Sequence, residues 1–306
     1  MAAGDSSNVP KSADAGPEPP FAMSVDVEDY FQVQAFAHLV DRSEWDQHPA
    51  RVERNVENLL AILAEARARG TFFVLGWVAN RYPSLVRRIA SSGHEIGSHG
   101  MSHRMMTELT PEQAREELRT SRRLLEDISG TAVEGFRAPS YSINHGTRWV
   151  LDELAEAGYA YDSSIFPIRR RRYGYPEGPK VPVRLATERS EIVEFPMTTI
   201  GVGPVRLPVL AGSYLRLLPG WISRAVVSDH LRRRQPLMVN VHPWEIDPGQ
   251  PTLGPSRRRM WTHYAGLART ADTLRSVLSM ARFASVAQRL REMQLLDNAR
   301  VAGSLA

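Results

Sequence analysis

The 306-residue chain contains no cysteine, which excludes disulfide bonds, thiolate metal sites and cysteine nucleophiles. No apolar run approaches the length of a membrane-spanning helix, so we expect no membrane span. The chain does not open on a basic region followed by an apolar core, so no secretory signal is visible and we expect a cytoplasmic location. With 42% hydrophobic and 24% charged residues, the composition is that of a globular protein with one large or two small domains.

The sequence also has little net charge, +4 in total. Its arginines cluster at residues 169–172, 232–234 and 257–259. Such runs are usually solvated faces, and an anionic polymer is only a secondary candidate partner. No stripe of alternating aromatic and basic residues is present, so we expect no nucleic-acid partner.

Short apolar strands and amphipathic helices alternate along most of the chain. Residues 1–20 are rich in Pro, Ser, Ala, Gly and Asp and are predicted to be disordered. Residues 71–75 form a continuous apolar run, typical of a strand buried on both faces. A capping box at Thr110 predicts a helix that Gly130 ends. Six or seven such repeats predict an α/β protein with a parallel sheet and helices outside it.

Five of the predicted strands end in polar residues that could take part in catalysis. These residues are Asp26, His99, Arg137, Asp162 and His242. In a (β/α) barrel the carboxyl ends of the strands meet on one rim, where active sites lie. In an open doubly wound sheet they would spread along a line and converge only at a switch point. The sequence therefore favours a barrel over the open sheet.

Two histidines, His99 and His103, are four residues apart beside glycines that interrupt any continuous helix. We predict a strand end followed by a turn that brings both imidazoles to one point, an arrangement that suits a divalent transition metal. A carboxylate would complete the site. Glu28 and Asp29 lie in an acidic strand end flanked by apolar residues, where a cation would relieve charge repulsion.

The remaining polar residues supply the other parts of a hydrolytic site. Asp26 is a second, free carboxylate, and Arg137 can keep a carboxylate ionised by bidentate pairing. His242 comes from a distant part of the chain, and Asp162 can fix a histidine tautomer. A metal, a base, an acid and orienting residues together indicate metal-assisted hydrolysis of an acyl bond.

The chain resembles the polysaccharide deacetylases with the NodB-homology domain, a group of carbohydrate esterases, and in particular the subgroup associated with exosortase and exopolysaccharide loci. The resemblance extends over residues 22 to about 285. Each of its motifs is modest alone, but their order is specific. The stretches that carry it are 24–32 (SVDVEDYFQ), 71–76 (TFFVLG), 93–103 (GHEIGSHGMSH), 137–141 (RAPSY), 161–167 (YDSSIFP) and 241–247 (VHPWEID).

This resemblance implies a distorted (β/α) barrel of about seven parallel strands. It implies a catalytic domain over residues 21–285, including a C-terminal extension, followed by a helix and tail over 286–306. It also implies a divalent metal, most commonly Zn²⁺, and hydrolysis of N-acetyl groups on a polysaccharide or oligosaccharide. Exopolysaccharide biosynthesis is the expected setting.

The resemblance also implies a role for individual residues. Asp26 would be the general base, oriented by Arg137, and His242 the general acid, tuned by Asp162. His99 and His103 would be metal ligands. The backbone amide of Ser140 would help to hold the oxyanion. Tyr141 and Trp244 are candidates for stacking on sugar faces, although aromatic residues are more often part of the core.

The sequence departs from the family pattern at Val27, where many members have a second aspartate directly after the base. On an extended strand Glu28 shares a face with Asp26, which favours Glu28 as the metal ligand. A turn that begins at residue 28 would favour Asp29 instead.

Three alternative functions remain open from the sequence. The nearest is hydrolysis of another C–N bond in a small molecule, as in an allantoinase or imidase. A non-haem iron oxygenase also uses two histidines and a carboxylate, but it would leave Asp26 and His242 without a role. An inactive carbohydrate-binding protein would not need every catalytic residue type.

Overall fold

The computed structural model describes residues 21–170, 173–203, 205–254 and 260–297. The segment predicted to be disordered, residues 1–20, lies outside the described residues, as do the end of the predicted tail and the arginine cluster at 257–259. Within the described residues, no helix has both the length and the apolar character needed to cross a membrane.

Strands and helices alternate, as the sequence pattern predicted. The strands are β1 (Phe21–Val27), β2 (Thr71–Val74), β3 (Glu95–Ser98), β4 (Gly135–Phe136), β5 (Tyr161–Asp162), β6 (Val183–Ala186), β7 (Glu191–Glu194), β8 (Thr199–Val202), β9 (Val205–Pro208), β10 (Met238–Val241) and β11 (Phe283–Ala284). The helices are α1 (Val52–Glu65), α2 (Gly76–Arg81), α3 (Pro83–Ser91), α4 (Pro111–Ser129), α5 (Val150–Glu156), α6 (Ser213–Leu217), α7 (Gly220–Arg233), α8 (Trp261–Tyr264), α9 (Leu267–Leu278) and α10 (Val286–Glu292).

One mostly parallel sheet organises the molecule. Its strand order is β10-β1-β2-β3-β4-β5-β7-β6, and β11 pairs with the start of β1. The sheet is curled into a half-barrel, and β6 alone runs antiparallel to its neighbour. The predicted α/β class and distorted barrel are therefore confirmed.

Strand β1 lies inside the sheet between β10 and β2 and is buried along its whole length. Successive side chains of a strand point to opposite faces. Val25 and Val27 belong to the larger apolar core that the outer helices cover, whereas Ser24 and Asp26 point to the other face, where they meet Arg137. This alternation delivers a carboxylate to the interior of the half-barrel.

The region from Pro167 to Arg189 contains strand β6. A second, separate sheet is formed by the antiparallel pair β8 and β9. Both features involve short strands with exposed side chains, so they lack the apolar runs that identified the buried strands. The C-terminal helix α10 packs against the smaller core cluster, with Phe73 and Tyr161.

Candidate active site

A candidate metal centre lies at the carboxyl ends of β1 and β3. Glu28, His99 and His103 each offer one ligand atom, and these three atoms lie within 4.8 Å of one another. All three side chains are buried. The structure thus brings together the two histidines and the carboxylate that the sequence predicted as a metal site.

A turn rather than a helix presents the two histidines. Gly100 (φ 74°) and His103 (φ 56°) both adopt left-handed backbone conformations, which reverse the chain after β3. Glu117 of α4 holds this turn, because its carboxylate accepts hydrogen bonds from the amides of Met101 and Ser102 at 2.7 and 2.9 Å. The predicted turn is therefore confirmed.

The environment of His99 prepares the ring for a metal. Its Nδ1 lies 2.8 Å from the carbonyl oxygen of Arg137, so Nδ1 carries the proton and the lone pair of Nε2 is available. Burial lowers the pKa of His99 to about 4. The ring is therefore neutral near pH 7, as a metal ligand must be.

Glu28 has the charge and the free oxygen that a cation needs. Burial alone would raise its pKa, but His103, together with His242 and His99, lowers it to about 2. Its Oε1 accepts a hydrogen bond from Trp244 at 3.2 Å. Its Oε2 is buried and 2.6 Å from Nε2 of His103, yet it makes no hydrogen bond of acceptable geometry within the described part of the chain. A cation bound by both atoms would satisfy both groups, so the residues fit a divalent metal.

Asp29, the alternative ligand, is occupied elsewhere. Its Oδ2 accepts hydrogen bonds from the amides of Arg51 and Val52 at 2.7 and 3.0 Å, and its Oδ1 from the amide of Tyr30 at 2.9 Å. Amides at the start of a helix have no partner within the helix, so Asp29 caps α1 from outside. This contact favours Glu28 over Asp29 as the carboxylate of the candidate metal centre.

Asp26 lies beside the metal centre and is held from both sides. Arg137 donates from Nη1 to Oδ1 at 2.7 Å, and Asn240 donates from Nδ2 to Oδ2 at 3.1 Å. Burial alone would raise the pKa of Asp26, but the guanidinium of Arg137 keeps it below its ordinary value. The predicted bidentate pairing is wrong, because Nε and Nη2 of Arg137 donate to Ser163 instead of to Asp26.

His242 reaches the same point from the end of β10. Its Nε2 lies 3.6 Å from Oδ2 of Asp26 and 3.8 Å from Oε1 of Glu28. Its Nδ1 lies 2.9 Å from Oε2 of Glu245. Burial alone would lower the pKa of His242, but the carboxylate of Glu245 raises it to about 9.

The prediction that Asp162 tunes His242 is therefore wrong in its contact, because Glu245 occupies the position beside Nδ1. Asp162 lies in register with Glu194 on the neighbouring strand, and burial raises the pKa of both carboxyl groups. Ser164 donates to Asp162 at 2.5 Å and accepts from the amide of Ala138 at 2.7 Å. Asp162 thus supports the loop that follows β4.

That loop contains two consecutive non-glycine residues in the left-handed region, Ser140 (φ 55°) and Tyr141 (φ 52°). Each such conformation costs on the order of 1–3 kcal/mol and tends to occur at functional sites. Both residues line the cavity that contains the metal centre. The amide of Tyr141 donates to the carbonyl of Ala138 at 3.0 Å, which leaves the Ser140 amide as the candidate oxyanion donor of this turn.

Two family models match successive parts of the chain. The family described as Polysaccharide deacetylase matches residues 42–161, and one described as Domain of unknown function (DUF3473) matches residues 163–291. The chain therefore contains a polysaccharide deacetylase domain over residues 42–161.

Two curated relatives and one solved structure illustrate the similarity. The Chitooligosaccharide deacetylase of Bradyrhizobium sp. (strain ANU 289) is 31% identical over 103 residues, 34% of this chain and 46% of that protein. The Peptidoglycan deacetylase-like protein FGM2 of Gibberella zeae is 36% identical over 95 residues, 31% of this chain and 27% of that protein. Less than half the length of either relative is matched.

The solved structure of a candidate polysaccharide deacetylase from Mycobacterium smegmatis superimposes with a TM-score of 0.62 and 22% identity. It covers 94% of this chain and 96% of that one. At this identity the likeness shows the fold alone, and it extends through both matched segments.

The sequence analysis named Trp244 as a candidate for stacking on a sugar face, but both faces of its ring are covered by protein. Its ring stacks between His242 (centroids 5.2 Å apart) and His263 (4.3 Å), and only 4% of the residue is exposed. Trp244 instead donates from its indole nitrogen to Oε1 of Glu28. Tyr141 is half-buried, and its hydroxyl accepts a hydrogen bond from Asn240 at 2.9 Å.

The sequence analysis missed two residues of the site, Asn240 and Glu245. Asn240 lies in a buried strand, and nothing in an apolar run marks one polar residue as functional. Glu245 did leave a signal. Pro243 and Glu245 stand at the first and third positions of a helical turn after His242, the pattern of a capping box. The catalytic roles of all these residues remain predictions.

A broad cleft adjoins the metal centre. The cavity that contains Asp26 and His242 has a volume of about 290 Å³ and shares Gln34 and Tyr173 with a neighbouring cleft of about 930 Å³. Pockets for small ligands typically enclose roughly 300–1,000 Å³. The combined space therefore exceeds what the reacting group of a small substrate needs.

Proposed function

We propose that the chain hydrolyses N-acetyl groups on a polysaccharide and releases acetate. One observation carries this proposal. A carboxylate held ionised (Asp26) and a histidine whose pKa is raised (His242) lie 3.6 Å apart beside the candidate metal ligands, in a chain that contains a polysaccharide deacetylase domain. Base, acid and cation site are the parts that amide hydrolysis requires.

Glu28, His99 and His103 would hold the divalent metal, for which Zn²⁺ is our proposal because two histidines and one carboxylate are common ligands of catalytic zinc. When bound, such an ion polarises a carbonyl and lowers the pKa of water to about 7. Its ligands are ready for this, since His99 is neutral and Glu28 ionised near pH 7.

The side chains around the triad then divide the proton transfers. Asp26 takes a proton from the water that attacks the acetyl carbon, and the Ser140 amide donates to the oxygen that becomes negative. As the C–N bond breaks, His242 delivers a proton from Nε2 to the leaving nitrogen, because an unprotonated amine is a poor leaving group. Acetate and a free amino group are the products.

The adjoining cleft favours a polymer over a small cyclic amide as substrate. Polar and aromatic side chains from separate parts of the fold line it, including His38, Asn144, His145 and Tyr175. We propose that sugar residues next to the reacting one lie here. The resemblance to the subgroup associated with exopolysaccharide loci supports an exopolysaccharide as the polymer.

Acetate release from a panel of N-acetylated oligosaccharides, with and without a chelator, tests the proposal. We expect release that the chelator abolishes and that added Zn²⁺ restores. Turnover of allantoin or cyclic imides without any acetate release would favour the small-molecule hydrolase, and oxygen consumption with bound iron would favour the oxygenase. Sugar binding with no turnover by the metal-loaded protein would indicate an inactive binding protein.

A further inference from the structure

We infer that Glu245 and Arg216 are positioning residues that fix the ring of His242, and that residues 163–291 thereby supply the acid half of the catalytic centre. The role assigned to His242 rests on the proposed function, but the positioning can be tested without turnover. The inference also assigns a role to residues 163–291, which match a domain of unknown function.

Glu245 contacts His242 twice through the same oxygen. Its Oε2 lies 3.0 Å from the backbone nitrogen and 2.9 Å from Nδ1 of His242. Because a carboxylate accepts, Nδ1 must donate, and Nε2 is then the ring atom that faces Asp26. The stacked ring of Trp244 covers one face of the imidazole. Together these contacts define both the tautomer and the orientation, the task that a carboxylate performs beside a catalytic histidine.

Arg216 of α6 holds Glu245 in turn. Its Nε donates to Oε1 of Glu245 at 2.7 Å, and both side chains are almost completely buried. Its Nη1 donates to the carbonyls of Thr262, His263 and Ala265 at 3.1, 3.0 and 2.8 Å. Arg216 therefore ties Glu245 to the α8 segment, so that the carboxylate cannot turn away from His242.

The topology explains why this arrangement is part of the catalytic half-barrel rather than an accessory domain. Strand β10 pairs in parallel with β1, and Ser24 lies in register with Asn240. The residue that follows β10, His242, is thereby carried to the end of β1, where Asp26 lies. The match to Polysaccharide deacetylase ends at residue 161, before Arg216, His242 and Glu245, so the segment after it completes the site.

Glu245→Gln tests the inference with little change of shape. We expect a loss of about 10- to 100-fold in kcat on an N-acetyl oligosaccharide, the usual cost of losing such a partner, with unchanged KM and metal content. An activated aryl acetate, whose leaving group needs no proton, should lose much less. Glu153→Gln is the matched control, since Glu153 is equally buried and paired with Arg115 and Arg189 but lies on α5.

A double-mutant cycle separates positioning from general support of the fold. If Glu245 acts through His242, Glu245→Gln should cost nothing further in the His242→Ala background. An equal further loss, or equal losses on amide and ester, would overturn the inference. Should Glu245→Gln fail to fold, Glu245→Asp keeps the charge but shortens the side chain, and it must show the same selective loss on the amide.

Proton NMR of ¹⁵N-histidine-labelled protein gives the readout that needs no turnover. We expect a slowly exchanging Nδ1–H signal from His242 in the wild type, lost or shifted in Glu245→Gln and retained in Glu153→Gln. An unchanged signal in Glu245→Gln would contradict the positioning role. If the signal behaves as expected but no acetamide is hydrolysed by the wild type, the proposed function fails and the positioning stands.

Discussion

Nε2 of His242 and Oδ2 of Asp26 lie 3.6 Å apart, although the two residues come from opposite ends of the chain. The carboxylate has a lowered pKa and the imidazole a raised one, so each favours the charged form of the other. An acid and a base with separated pKa values are the pair that amide hydrolysis uses. The substrate nitrogen and the attacking water would have to enter between or beside them.

The first prediction concerns metal binding. His99→Ala and His103→Ala should each lose stoichiometric divalent metal and nearly all activity, because each removes one of three ligands. Metal analysis after dialysis measures this. His230→Ala is the control, since His230 is also buried and its Nδ1 lies 2.9 Å from the carbonyl oxygen of Val226 in the same helix, α7. Full retention of metal by the His99/His103 double variant would contradict the assignment.

The second prediction separates the two neighbouring carboxylates. Glu28→Gln should weaken metal affinity by at least about 10-fold, with a small effect on stability. Asp29→Asn should leave metal affinity nearly unchanged but lower the free energy of unfolding by about 0.5–2 kcal/mol, because it weakens the cap on α1. Metal titration and thermal unfolding of both variants measure the two effects, and the reverse ranking in the titration would move the ligand role to Asp29.

The third prediction concerns the cleft beside the site. Tyr175 lies on its wall, near the ring of His145, where a sugar could stack on it. Removing one aromatic contact costs about 0.5–1.5 kcal/mol, so Tyr175→Ala should lower kcat/KM up to about 10-fold on long oligosaccharides. A monomeric aryl acetate should be unaffected. Trp221→Ala, which removes an exposed aromatic residue from α7, is the control. Equal effects on both substrates would argue against a subsite.

Local sequence signals recovered the fold because its central strands are apolar and because α4, the longest helix described, has recognisable caps at both ends. Thr110 and Gly130 delimit α4 as their residue types predict. The metal triad was recovered for a similar reason, since both histidines follow one strand and the carboxylate follows another. Strands β6, β8 and β9 were missed because half-exposed short strands have no distinctive pattern.

Long-range contacts decided the rest of the site. The role of Asp29 depends on where α1 docks, 22 residues later, and no local pattern reports that. Asp162 and Glu245 are both acidic residues near predicted strand ends, so residue type alone could not decide which of them reaches His242. The family resemblance pointed to Asp162, and the structure places Glu245 there because it belongs to the same turn as His242.

The fourth prediction concerns pH. Burial alone would lower the pKa of His242, but Glu245 raises it to about 9. The protonated form is the acid, so kcat/KM should fall as the pH rises through a value at or below about 9, since a bound cation disfavours a second positive charge nearby. At low pH, protonation of His99, whose pKa burial lowers to about 4, should release the metal. A pH–rate profile with parallel metal analysis measures both limbs.

The fifth prediction distinguishes the acid from the base by the leaving group. His242→Ala should retain metal and lose roughly 10²–10⁴-fold on a natural acetamide, the usual contribution of general acid catalysis. An activated aryl ester should suffer much less, because its leaving group departs without a proton.

Asp26→Asn should also retain metal, but it should lose activity on both substrates, because the attacking water must be deprotonated in either case. His242 should set the basic limb, so His242→Ala should lose it, whereas the acidic limb imposed by metal release should remain in both variants. Steady-state kinetics on the matched amide and ester, with metal content measured in the same preparations, decide the question. Equal losses on both substrates in His242→Ala would reject His242 as the acid and leave it a binding or structural residue.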